Sequence, residues 1–280
     1  MSRPEVIDTV SALRHRRQEL KGRLAFVPTM GALHDGHVSL MKRAAELGAE
    51  VWVSVFVNPT QFGPGEDLER YPRDLDADLE RCADAGVTVV FAPGVEQMYP
   101  PASPAVAIDV PDLTGVLEGA SRPTHFAGVC RVVAKLLNQV QPDVACFGQK
   151  DYQQLAVVRA MVTDLAMPVG IEAVPTVREA DGLAMSSRNR FLSKDERHRA
   201  VALWRSLETA RAMVDQGQVA VEVIETRMRA IIEEAGLTVD YAVLRDAVTL
   251  AQVEKLDRDC VALVAARIGS VRLIDNTLLG

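Results

Sequence analysis

Two histidines, His34 and His37, stand at the joint of a strand-like and a helix-like segment. The apolar run Leu24-Ala25-Phe26-Val27 precedes them, and a helical pattern over Val38–Leu47 follows. Between the two lies Pro28-Thr29-Met30-Gly31-Ala32-Leu33-His34-Asp35-Gly36-His37. A strand, a glycine-bearing turn and a helix N-terminus therefore meet at two imidazoles. That meeting suits a bound phosphate, because orphan backbone N–H groups and the positive end of the helix dipole converge there. Gly31 and Gly36 let the backbone approach a ligand where a Cβ would collide. On a helix starting near Gly36 the imidazoles project to neighbouring positions. Zinc is the rival reading. The HxxH spacing lacks the i,i+4 geometry and adjacent glutamate of the HExxH helix, and no cysteine or third histidine lies nearby in sequence.

Three further polar motifs each follow a strand-like run or a change of pattern. Asn58-Pro59-Thr60-Gln61-Phe62-Gly63 comes after Val51–Val57. Its amides offer neutral donors and acceptors for hydroxyl groups, and its aromatic ring offers an apolar wall. Taken alone it also reads as a polar turn stabilised by Asn58. Gly148-Gln149-Lys150-Asp151-Tyr152-Gln153-Gln154 comes after Val144–Phe147. Lys150 at a strand end before a helix can meet phosphate as a point charge, with Gln154 one helical turn further on. The bland alternative is an exposed lysine with Asp151 as helix cap. Met185-Ser186-Ser187-Arg188-Asn189 combines hydroxyls with a guanidinium that can grip phosphate bidentately, although it also reads as an ordinary helix-entry loop.

The elements that must position these groups alternate. Strands are expected at Leu24–Val27, Val51–Val57, Val87–Phe91, Val144–Phe147 and Gly170–Val174. Helices are expected at Val38–Leu47, Leu75–Ala85, Gly128–Val140 and Tyr152–Leu165, with Gly48 and Gly86 just past the ends of two of them. This alternation predicts an α/β fold, a Rossmann-like doubly wound parallel sheet with ligands beyond the carboxyl ends of its strands. After residue 176 the pattern changes. Helices at Lys194–Asp215, capped by Ser193, and Val221–Ala235 precede strands at Thr238–Leu244, Val261–Ala266 and Val271–Ile274. These predict a smaller α+β domain with an antiparallel sheet, so the expected domains are 1–176 and 177–280. Tyr99-Pro100-Pro101-Ala102-Ser103-Pro104 reads as a surface loop.

Composition narrows the class. With 280 residues, 48% hydrophobic and 25% charged, the chain can bury a substantial core. A net charge of −7 argues against a broad nucleic-acid-binding face, and Arg14-His15-Arg16-Arg17 reads as a solvated helix face. No apolar run approaches membrane-spanning length, so no membrane partner is expected. Cys82, Cys130, Cys146 and Cys260 are scattered without a CxxC motif, and the N-terminus carries no apolar signal region. A cytoplasmic protein with reduced thiols is the expectation.

The chain resembles the pantoate–β-alanine ligases, enzymes of the HxGH nucleotidyltransferase superfamily that make pantothenate. The resemblance is carried by PTMGALHDGH, FVNPTQFGPGEDLERYPR, RPTHFAGV, FGQKDYQQ and MSSRN. It implies a Rossmann-like domain, a smaller C-terminal domain that closes over the site, and a homodimer. The implied reaction joins (R)-pantoate to β-alanine through a pantoyl adenylate, consumes ATP with Mg²⁺, and releases pyrophosphate and AMP. Pro28 and Met30 to His37 match the family's ATP loop, with His37 as the catalytic histidine and His34, Lys150 and Arg188 beside it on the phosphates. Gly148 to Asp151, Val177 and Met185 to Arg188 match further ATP contacts. Gln61 and Gln154 match the pantoate-holding glutamines, Asn58 is expected to bind pantoate with them, and Gln61 also neighbours the β-alanine position. The acidic cluster associated with Mg²⁺ in some members reads Asp76-Ala77-Asp78 here, which leaves Asp78 as the expected metal-supporting carboxylate.

Overall fold

The computed structural model describes residues 3–279 apart from residues 49, 67, 102, 103 and 258. Ala102 and Ser103 of the expected proline-rich loop, and Asp67 of the FVNPTQFGPGEDLERYPR motif, thus lie outside the described residues. The chain divides into two compact units. One comprises the residues up to Gln149 together with Gln154–Pro175, and the other Lys150–Gln153 with the residues from Thr176 onward.

In the first unit β1 (Glu5–Ile7) leads into α1 (Val10–Glu19), then β2 (Leu24–Thr29), α2 (Asp35–Glu46), β3 (Glu50–Val55), α3 (Leu75–Asp84) and β4 (Val89–Phe91). Three short helices follow, α4 (Val95–Met98), α5 (Pro111–Thr114) and α6 (Leu117–Ser121), before the long α7 (His125–Val140). Then come β5 (Val144–Gly148), α8 (Tyr152–Asp164) and β6 (Gly170–Val174). All six strands pair in parallel in the order β1-β4-β3-β2-β5-β6. From β2 the chain builds outward through β3 and β4, then returns to the other side of β2 for β5 and β6. The crevice between β2 and β5 is therefore the topological switch point where such sheets bind ligands. Pro28 lies in β2 beyond the last β2–β5 pair, Phe26↔Ala145, so its missing N–H removes no ladder bond on that side.

The sheet core contains Phe26, Trp52 and Phe91, all essentially inaccessible. Leu40, Met41 and Ala44 of α2 pack with Val27, Val51 and Val53 of the sheet, which holds the histidine loop's helix against it. Burial of side chains such as Leu40 and Met41 contributes roughly 1.5–3 kcal/mol each. Gly48 and Gly86 take positive φ just past α2 and α3, as expected for left-handed helix ends. All four cysteines are buried, and none is joined in a disulfide. Burial pushes the Cys82 thiol up to about 12 and those of Cys130 and Cys146 to about 11, which leaves these three unsuited to thiolate chemistry at neutral pH.

The second unit contains α9 (Lys194–Arg199), α10 (Ala202–Asp215), α11 (Val221–Glu234) and an antiparallel sheet β7-β8-β9 (Thr238–Asp246, Cys260–Ile268, Val271–Leu279). Leu203, Leu207, Ile224 and Met228 from two of its helices share one core with Ala262, Val264 and Ala266 of β8. Ser193 caps α9 reciprocally with Glu196.

Two departures from the sequence-based expectation have local causes. The single helix expected over Lys194–Asp215 is divided at Ala200 and Val201, where an i→i+3 bond from Leu203 N–H to Ala200 O tightens the chain. Both residues are buried there. Strand β1 was not expected because it is three residues long and only Ile7 is buried, too little for a periodic signal. No helix among the described residues is long and apolar enough to cross a membrane.

Candidate active site

The histidine loop is shaped before any ligand arrives. At the end of β2, Thr29 Oγ1 donates to Ser54 O (2.7 Å) and accepts the Gly31 N–H (3.1 Å). The chain then passes through left-handed conformations at Gly31 (φ 77°) and Ala32 (φ 51°). Only glycine suits position 31, because a Cβ there would lie 2.7 Å from Asp78 Oδ2 and 3.0 Å from Val55 Cγ1. This turn directs the N–H groups of Ala32 and Leu33 onto Asp78 of α3, at 3.0 and 2.8 Å. Burial pushes the Asp78 carboxyl pKa up, while the two loop N–H groups pull it down.

Asp78 therefore has a task within the loop itself. Each of its oxygens is engaged by a loop N–H, and only 3% of the residue is exposed. It braces the loop. Among the described residues no group of three or more His, Cys, Asp or Glu side chains is arranged to hold an ion.

His34 is the N-cap of α2, with its Nδ1 accepting the Gly36 N–H at 3.2 Å. His37 returns the contact, its Nδ1 accepting the His34 N–H at 3.3 Å. The two rings lie 4.1 Å apart, tilted by 47°. Since both Nδ1 atoms accept, each neutral ring carries its proton on Nε2. Two N–H donors of fixed tautomer thus stand at a helix N-terminus, an arrangement suited to phosphate oxygens. Asp35 forms an ion pair with Arg81 (2.9 Å). Leu33 is buried in the core, and a Cβ on Gly148, at the end of β5, would meet Leu40 of α2 in ordinary contact at 3.9 Å.

The loop after β3 meets this one. Gln61 Nε2 lies 3.1 Å from Met30 Sδ, and Gln61 Oε1 accepts from Asn58 Nδ2 at 3.0 Å. Asn58 was expected to contact pantoate. Instead its amide is committed internally: Nδ2 also donates to Gly128 O (3.1 Å), and Oδ1 accepts from Thr60 N–H, Thr60 Oγ1 and Tyr99 OH. With 1% exposure and its bonding capacity filled, Asn58 positions Gln61. The Gln61 carbonyl is held in turn by His125 Nδ1 (2.9 Å) and the Arg122 guanidinium (3.4 Å). Arg122 is fixed by a two-pronged ion pair with Glu66, which holds the Glu66 carboxyl below its usual range. Helix α7 approaches so closely that a Cβ on Gly128 would lie 2.3 Å from Thr60 O. Arg122, His125 and Gly128 were not singled out from the sequence. The RPTHFAGV segment drew notice only for its resemblance, because nothing local ties it to a loop sixty residues away.

Gln154, in the first turn of α8, is partly buried, and its amide makes no hydrogen bond among the described residues. In the second unit, Val177 and Met185 are joined directly: Met185 N–H donates to Val177 O at 3.0 Å across a small hairpin. Arg178 anchors that hairpin through the buried Asp275, in a two-pronged ion pair of 2.6 and 3.0 Å, and stacks 3.7 Å from the Trp204 ring. Ser186 Oγ accepts the Arg188 N–H (3.2 Å), capping the turn that contains Ser187 and Arg188. Lys150, with Gln149 and Asp151, forms a 3-10 turn, and its carbonyl accepts from Asn276 Nδ2 at 2.8 Å.

Comparison with known proteins gives the chain a family. The family model described as pantoate-beta-alanine ligase matches residues 5–278. A pantothenate synthetase of Pseudomonas fluorescens is 51% identical, covering 95% of this chain and 93% of its own. The enzyme of that name from Acidothermus cellulolyticus is 50% identical, covering 98% and 91%. The crystal structure of pantothenate synthetase from Thermus thermophilus superposes with a TM-score of 0.92 at 45% identity, over 98% of both chains. That of the Francisella tularensis ligase, complexed with beta-gamma ATP and beta-alanine, has a TM-score of 0.81 at 34% identity, covering 98% of this chain and 97% of its own. By sequence and by fold, along almost its whole length, the chain belongs to the pantoate-β-alanine ligase family.

Proposed function

We propose that the chain joins (R)-pantoate to β-alanine, using MgATP, through an enzyme-bound pantoyl adenylate. The observation that carries this reading is the contact between Met30 and Gln61. It sets a phosphate-type histidine loop beside a buried neutral amide at one end of a parallel sheet.

In the first half-reaction a pantoate carboxylate oxygen attacks the α-phosphorus of ATP. The bond from that phosphorus to the bridging oxygen breaks, and pyrophosphate leaves. An anion approaches a polyanion here, so the site must supply donors that strengthen in the transition state. His34 and His37, each with its proton on Nε2, serve that need from the N-terminus of α2. Lys150 and Arg188 are assigned to the phosphates, and the backbone from Met30 to Gly36 with Gly148 to Asp151, Val177 and Met185 to Ser187 to the nucleotide. Mg²⁺ enters with the nucleotide as part of the substrate.

Gln61 and Gln154 are assigned to pantoate, whose two hydroxyls need neutral partners, and Gln61 also borders the β-alanine position. In the second half-reaction the β-alanine amine attacks the acyl carbon, AMP departs and the amine loses a proton. This step depends chiefly on positioning, because AMP is a good leaving group. We further propose a cytoplasmic homodimer, in line with the family resemblance and the buried, reduced cysteines.

The deciding experiment incubates purified protein with ATP, pantoate, β-alanine and Mg²⁺ and follows pantothenate, AMP and pyrophosphate. Equal amounts of all three, absent when pantoate is omitted, are expected. Nucleotide binding without product would refute the reading. Sedimentation at micromolar concentration tests the dimer.

A further inference from the structure

Away from the histidine loop, the first unit holds a cavity of about 350 Å³ that this chemistry does not use. Arg14 of α1 lines it together with Arg131, Lys135 and Gln139 of α7, the last three spaced four residues apart on one helix face. No carboxylate is among its lining residues, and none of the three cations forms an ion pair among the described residues. Three uncompensated cations around one hollow stand out in a chain of net charge −7. The other members of the basic run do pair: Arg16 with Glu5 and Glu50, Arg17 with Asp143. Only Arg14 turns to the cavity.

The walls are chemically mixed. The Tyr99 ring forms one side, with the Arg131 guanidinium 4.5 Å and the Lys135 ammonium 5.8 Å from its centroid. These contacts fix the two cations without neutralising them. Val106 and Ile108 supply apolar surface. Gln139 is only 8% exposed, and its Oε1 is buried without a hydrogen-bond partner. An orphaned buried acceptor destabilises the fold unless a donor reaches it. Its amide turns about a soft terminal torsion, so a donor delivered into the cavity can be met.

We propose that this cavity is a binding site for a small hydroxylated anion. Its carboxylate or phosphate would lie among Arg14, Arg131 and Lys135, its hydroxyl would donate to Gln139, and its carbon skeleton would rest on Ile108. The volume is at the small end for ligand sites and suits a compound the size of a sugar phosphate or hydroxy acid.

Glycerol 3-phosphate and glycerate carry the same hydroxyls on different anions, and inorganic phosphate carries none. Each is titrated calorimetrically into the full-length protein at low ionic strength. Millimolar or tighter binding of either hydroxylated compound is expected, and whichever binds identifies the anion as phosphate or carboxylate. Arg131→Gln and Lys135→Gln, checked for an unchanged melting temperature, should each weaken it about tenfold, the loss of one charge-assisted hydrogen bond. His37→Gln should leave it unchanged, since the nucleotide loop is a separate place. Binding that is lost in His37→Gln but kept in Lys135→Gln would overturn the proposal. So would equally tight binding of inorganic phosphate, or no binding at tens of millimolar.

Discussion

Asp78 Oδ1 accepts the Leu33 N–H at 2.8 Å, joining groups 45 residues apart in sequence. With the second bond, from Ala32 N–H to Oδ2, it clamps the histidine loop to α3. Asp78→Asn would turn an NH₂ group toward one of these donors. A loss of about 1–3 kcal/mol in urea unfolding is expected, together with a raised KM for ATP. An unchanged KM would show that the loop keeps its shape without the clamp.

His37→Ala removes a donor from the phosphate region. Pyrophosphate release should fall by about 10²–10³ or more. Aminolysis of pre-formed pantoyl adenylate by β-alanine should suffer much less. Equal damage to the two half-reactions would contradict this division of labour.

Gln61 and Asn58 should separate cleanly despite their 3.0 Å contact. Gln61→Ala should weaken pantoate binding by about 1–3 kcal/mol while ATP affinity stays near normal. Asn58→Ala empties a buried node with five hydrogen bonds, so thermal stability should fall first and pantoate binding with it. Melting curves and equilibrium titrations read the two effects independently.

Gly128→Ala tests the close approach of α7 to the Gln61 loop. The added methyl meets backbone rather than a movable side chain, so overpacking of about 1–3 kcal/mol is expected. The displaced loop should raise KM for pantoate more than KM for ATP in steady-state assays.

The Glu66–Arg122 pair introduces an acid-side dependence. The guanidinium holds the folded-state pKa of Glu66 below its usual 4.5. Its stabilising contribution is therefore complete above about 4.5 and is lost as pH falls from there through the folded-state value. Glu66→Gln should flatten this part of a stability-versus-pH curve. The difference in unfolding free energy between the two proteins should shrink as pH drops from 6 to 3.

Much of this protein could be read along the chain, because the informative interactions there are local. Continuous apolar runs such as Val51–Val57 marked strands covered on both faces, and the Gly31-to-His37 segment announced a helix N-terminus by its spacing. Helical periodicity in α2, α7 and α8 needs only neighbouring residues to be visible, so the alternating parallel fold followed. The motifs PTMGALHDGH, NPTQF and MSSRN carried the family resemblance in the same way. Strand β1 lay below that threshold, since three residues with one buried side chain make no period.

The tertiary structure alone decided what the polar side chains in those motifs do. Asn58 and Gln61 have the same functional group and lie three residues apart, yet folding fills the bonding capacity of the first and leaves the second beside Met30. Asp78 gives no sign in the sequence of the two loop N–H groups that a distant segment brings to its oxygens. His125, Arg122 and Gly128 matter only because α7 is brought against the turn after β3. Strand and helix propensities act over a few residues, whereas hydrogen-bond partners are allotted only when segments far apart in sequence are packed together. A residue's type limits the bonds it can make, and the packed fold determines which of them form.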